Sequence, residues 1–148
     1  MTYEERIQIL DNGIIRMNTY LSNGAAYNDH LDSTGNEAKR EAYDVLTKIE
    51  ATRASLYAVK NISFDSCRRS MFGHMAGEYE MLCANKCNAY KQSINSIIGI
   101  LEQERTRLIK EQSDAEQKND KLLAKWTLIC SAVAAICAII SLLFMIFN

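Results

Sequence analysis

Proline is absent from all 148 residues. Average usage of about 5% would place roughly seven in a chain of this length. Proline removes an amide donor and clashes with the preceding turn, so it breaks helix interiors. A chain without it suits long helices. Strand signals are missing as well, since no run alternates apolar and polar residues with β-branched enrichment. Neither sign of charge is in excess, with 17 Lys and Arg against 18 Asp and Glu. That balance gives no electrostatic footprint for nucleic acid, whose binding depends on clustered Lys and Arg. It also excludes an acidic, solvating tail. The pair of arginines in "CRRS" is too small to make a patch. No phosphate loop, nucleophile elbow or paired metal-carboxylate motif occurs, so neither an enzyme nor a cofactor is expected.

Charge is missing altogether from Trp126 to Phe147, a run of 22 residues. A hydrocarbon core about 30 Å thick needs roughly 20 helical residues at about 1.5 Å each. A buried helix of a soluble protein rarely runs this long without a polar face. The only polar interruptions here are Thr127, Ser131 and Ser141, whose hydroxyls can bond back to their own helix backbone. The stretch therefore reads as a transmembrane anchor with the lipid bilayer as its solvent. Lys118, Lys121 and Lys125 precede it and nothing basic follows. The positive-inside bias then places the N-terminal part in the cytoplasm. Trp126 suits the membrane–water interface. This layout is single-pass and tail-anchored.

The remaining residues read as helices. Thr2-x-x-Glu5 is a capping box, in which each side chain satisfies the other's backbone amide. Tyr3, Ile7, Leu10, Ile14, Met17 and Leu21 follow at spacings of three and four, one stripe of a helix; Gly13 inside it weakens it by about 1 kcal/mol relative to Ala. The stretch "SNGAAYNDHLDSTGN" reads as a loop. A second capping box, Thr34-x-x-Glu37, opens a helix whose stripe is Ala42, Val45, Ile49, Thr52, Leu56 and Val59. "NISFDS" is a joint. From Phe64 a 3.6-residue rhythm runs through Cys67, Met71, Met75, Tyr79, Leu82, Tyr90 and Ile97, with Gly73 and Gly77 as a hinge. Ile94, Leu101, Leu108, Ala115 and Leu122 then recur every seven residues, while three positions on stand Ile97, Glu104, Glu111, Lys118 and Lys125. Half of a coiled-coil seam is thus apolar. The expected fold is all-α. Residues 1–93 form a small cytosolic helical bundle, 94–125 a coiled-coil-like stalk, and 126–147 the anchor.

Three cysteines of the soluble part, Cys67, Cys83 and Cys87, share a neighbourhood with His74. Cys83 and Cys87 are four apart, on one helical face, and Cys67 and His74 are seven apart. Zinc takes four such ligands in a tetrahedron, but the tight Cys-x-x-Cys knuckle is missing. A buried thiol behaves as a small apolar side chain, so core cysteines are expected and no metal. Within the anchor, Cys130, Ala134, Cys137 and Ser141 form a stripe of small residues that would let membrane helices approach. Cys130 lies eight residues after Leu122, near the heptad step, so stalk and anchor would offer one self-complementary face and a homo-oligomer.

The expected function is a membrane-tethered helical scaffold or adaptor that binds a protein partner and no nucleic acid. Two rivals stand beside it. One is a small pore-forming or membrane-perturbing protein, holin- or toxin-like, regulated by its cytosolic helices. The other is a metal- or redox-sensing module built on Cys67, His74, Cys83 and Cys87.

Overall fold

The computed structural model describes the backbone of residues 1–24, 30–68 and 76–147, and the side chains of all of these except 76–81 and 142–147. The described residues are helical and contain no strand. The elements are α1 (Tyr3–Asn23), α2 (Leu31–Lys48), α3 (Arg53–Asn61), a single 3-10 turn at Asp65–Cys67, and α4 (Ala76–Phe147). Two compact units divide the chain, Met1–Ile109 and Lys110–Asn148, and the division falls inside α4.

α1 starts where its sequence says it should. The Thr2 hydroxyl accepts from the Glu5 amide at 3.1 Å and the Glu5 carboxylate accepts from the Thr2 amide at 2.8 Å. Leu10 and Met17 are fully buried, and Tyr3, Ile7, Ile14 and Leu21 pack partly buried against the same core. Gly13 lies against the Val45 side chain of α2. A Cβ there would crowd Val45, so this glycine serves a close helix–helix approach.

α2 begins earlier than the capping box implies. Its first residue is Leu31, and Thr34 and Glu37 lie inside the helix. Burial explains the difference. Leu31, Gly35 and Ala38 all face the core, and burying an aliphatic side chain is worth about 1.5–3 kcal/mol. A helix starting at Thr34 would leave Leu31 outside that core. Gly35 sits so close to the Phe64 ring that a Cβ would overlap it.

The stripe from Ala42 to Val59 belongs to two helices. α2 ends at Lys48. Glu50 takes a left-handed φ of 55°, its amide donates to the Thr47 carbonyl, and the Ala51 amide reaches back to Leu46 at 2.9 Å. This is the Schellman closure, usually made with glycine at the left-handed position. Thr52 then turns from stripe residue to cap, its hydroxyl accepting from the Ser55 amide at 3.2 Å to start α3.

The rhythm from Phe64 onward is also divided. Phe64 and Cys67 are buried at the 3-10 turn. α4 starts only at Ala76, with Gly77 inside its first turn. Met71, Gly73 and Met75 lie outside the described residues. In the unit Met1–Ile109 the core joins α1, α2, α3, the turn and the α4 residues Cys87, Tyr90, Ile94, Ile97, Ile98, Leu101 and Leu108. In the unit Lys110–Asn148 the described side chains from Glu116 to Ser141 are exposed.

Candidate functional site

Glu104 stands where a coiled-coil seam would want an apolar side chain, and it is buried, at 3% exposure. Its surroundings explain how. One carboxylate oxygen accepts from the Ser55 hydroxyl at 2.5 Å, the Thr52 hydroxyl at 2.6 Å and the Thr52 amide at 3.3 Å. The other accepts from Arg107 Nε at 2.7 Å. Burial alone would raise the Glu104 pKa. The hydrogen bonds from Ser55, Thr52 and Arg107 outweigh it and hold the carboxyl below its ordinary value of 4.5. A buried charge is tolerated when its lone pairs are filled in this way. The network fastens α4 to the corner between α2 and α3.

A second polar cluster ties α1 to α2. Glu41 receives two bonds from Arg16, at 3.0 and 3.3 Å, and one from the Tyr20 hydroxyl at 2.8 Å. The Arg16 guanidinium also lies 5.3 Å from the Tyr20 ring centre. The Arg16 hydrogen bonds lower the Glu41 pKa against a smaller opposing effect of burial. The Tyr20 carbonyl accepts from the buried Tyr90 hydroxyl at 3.0 Å. Burial pushes that phenol up to about 12. The Tyr90 ring rests against Gly24 and lies 5.8 Å from the Phe64 ring, tilted.

The cysteines of the first unit divide by burial. Cys67 and Cys87 belong to the core, and Cys83 is half-buried on α4. Burial raises the Cys67 pKa, which favours the thiol over the metal-binding thiolate. His74, the fourth candidate ligand, lies outside the described residues. Among the described residues no three His, Cys, Asp or Glu side chains converge on a metal position.

The heptad residues are placed by unit. Ile94, Leu101 and Leu108 are fully buried within Met1–Ile109, so the stretch 94–109, assigned from sequence to a stalk, contributes to the core of the first unit. Ala115 is half-buried and Leu122 exposed in the second. Cys130, Ala134, Cys137 and Ser141 lie at helical spacing on α4, all exposed. The three hydroxyls of this apolar stretch bond within the helix: Thr127 to the Leu123 carbonyl, Ser131 to Thr127 and Ser141 to Cys137, at 2.8–2.9 Å. One long apolar C-terminal helix is a candidate membrane span by length and composition.

No family model, curated protein or solved structure matches the chain.

Sequence reasoning missed two features. Glu104 counted as a break in an apolar seam, although Thr52 and Ser55 are a signal for a buried acceptor once they are known to be neighbours. The other is a cleft between α2 and α3 lined by Asn36, Lys39, Arg40, Tyr43 and Lys60. Its α2 members recur at intervals of three and one, a helical face that the sequence does carry.

Proposed function

We propose that the protein is a membrane-anchored helical interaction module, a scaffold or adaptor whose folded N-terminal bundle meets a protein partner at a membrane surface. The observation that carries the reading is the apolar end of α4. Trp126, Leu128, Ile129, Val133, Ile136, Ile139 and Ile140 are each at least half exposed, and every hydroxyl among them is satisfied by its own helix. Such a surface is unfavourable in water and needs nothing polar from its surroundings, which is what hydrocarbon demands. Lys118, Lys121 and Lys125 favour keeping the N-terminal unit on the cytoplasmic side. The polar clusters at Glu104 and Glu41 fasten helices together.

Removing Thr127–Asn148 tests the anchor. The shortened chain is expected in the soluble fraction after lysis. The full chain is expected to stay with membranes through a high-salt wash, which screens surface attraction but extracts no spanning helix. A shortened chain that still sediments with washed membranes refutes the single anchor. Protease digestion of sealed vesicles then reads sidedness. Dye leakage from vesicles carrying the full chain would favour the pore-forming rival instead.

A further inference from the structure

The cleft between α2 and α3 measures about 440 Å³, within the usual range of small-ligand sites. Three of its lining side chains, Lys39, Arg40 and Lys60, are cations, and none is a carboxylate. The acids of α2 stand elsewhere. Glu37, Glu41 and Asp44 share a face roughly 100° around the helix from Asn36, Arg40 and Tyr43. Glu41 is bonded by Arg16 and also feels the Arg40 charge, without an ion-pair contact between the two. Among the described residues neither Arg40 nor Lys60 is in ion-pair contact with an acid. Three like charges have therefore gathered in a chain whose formal net charge is −1.

The local geometry is organised. Lys39 Nζ donates to the Ile62 carbonyl at 2.6 Å. That bond draws the ammonium toward the end of α3 and leaves two of its three donors for other acceptors. Arg40 supplies a planar fork that pairs two oxygens at once. Lys60 closes the arrangement from α3. Tyr43, 39% exposed, offers a ring face against which a sugar or other cyclic group can rest.

We infer that this cleft binds a multiply charged phosphate ester on a compact ring, as presented by a phosphorylated lipid headgroup or by its soluble counterpart. A single carboxylate is a poorer match, because one exposed ion pair is worth about 0–1 kcal/mol. Several phosphate oxygens engage all three cations together and relieve their mutual repulsion. The inference is independent of the membrane anchor and of any protein partner.

The test uses the full chain reconstituted in phosphatidylcholine nanodiscs. One arm titrates soluble inositol trisphosphate. The other adds phosphatidylcholine vesicles with or without phosphatidylinositol bisphosphate. The variant is Arg40→Gln with Lys60→Gln; both residues are exposed and hold no bond to the fold, whereas Lys39 is left alone because it anchors to Ile62. Lys110→Gln with Lys118→Gln makes the same change of charge at exposed positions outside the cleft. Saturable binding is expected for the wild type and for this control, at least tenfold weaker in the cleft variant. Binding in the soluble arm alone identifies a free phosphate ester as the ligand. Binding in the vesicle arm that depends on the bisphosphate identifies a headgroup. Absence of saturable binding in both arms overturns the proposal. So does equal weakening by both variants, which would mean diffuse charge, or tighter binding of a glutamate-rich peptide than of the trisphosphate.

Discussion

Replacing Glu104 tests whether a buried carboxylate adds to the apolar core in joining α4 to the other helices. Glu104→Ala removes the acceptor of four donors, from Ser55, Thr52 twice, and Arg107. The α3 cap itself survives, because the Thr52 hydroxyl still accepts from the Ser55 amide and lies 2.9 Å from the Ser55 hydroxyl. Arg107, 31% exposed, is close enough to the surface to find water. The loss should therefore fall near the lower end of the 3–5 kcal/mol typical of breaking a buried charge pair, about 3 kcal/mol. Glu104→Gln keeps a carbonyl oxygen for the hydroxyls and loses the charge, at about 1–1.5 kcal/mol. The assay is urea unfolding of the full chain in a neutral detergent, followed by circular dichroism. With a slope of roughly 1–2 kcal/mol per molar for a small domain, the alanine variant should unfold roughly 1.5–3 M earlier.

The sign of the pH effect follows from the depressed pKa. The folded carboxyl titrates below its ordinary value of 4.5, so its contribution is complete above that value. It is lost as pH falls through the lower folded pKa. Glu41 contributes in the same direction, so the informative quantity is the difference between wild type and Glu104→Gln, which should shrink on acidification below 4.5. A Glu104→Ala midpoint within error of wild type, or a difference that does not narrow with acid, refutes the network as the fastening.

At Glu50, Gly should match or exceed wild-type stability, because relief of a left-handed strain of about 1–2 kcal/mol outweighs an exposed ion pair with Arg6 worth about 0–1 kcal/mol. Glu50→Val should instead lose stability, since a β-branched residue resists that backbone; thermal melts of both variants give the comparison. Gly35→Ala should cost about 1–3 kcal/mol by driving a methyl into the Phe64 ring. Gly99→Ala, with nothing within 4 Å of the added carbon, should gain up to about 1 kcal/mol in helix propensity; equal effects of the two would refute the close packing of Gly35. Maleimide labelling of the first unit, read by mass spectrometry, should modify Cys83 well before Cys67 and Cys87, which are 2% and 8% exposed. Faster labelling of Cys67 would contradict its burial and its raised pKa.

Much of this protein was legible in its residues taken one segment at a time. The missing prolines and the three-and-four spacing announce an all-helical chain. Thr2 and Glu5 cap α1 because both halves of that bond lie within one turn. The apolar stretch from Trp126 is apolar whatever surrounds it, and its hydroxyls find partners four residues back. These properties are local, so periodicity and short motifs report them. The remainder was settled by neighbours distant in sequence. α2 starts at Leu31 rather than Thr34 because the core covers Leu31 and Phe64 closes over Gly35. The chain turns left-handed at Glu50, where no glycine marks the turn, because both Ile49 before it and Val59 after it are buried. Ile94, Leu101 and Leu108 look alike to Ala115 and Leu122 in a heptad count, yet among these five only the first three are fully buried. Glu104 is the plainest case. Its charge says surface, and its burial depends on hydroxyls about fifty residues away that no pattern around position 104 records. A side chain's hydropathy states the cost of burying it alone, and only the tertiary structure supplies the donors that offset that cost.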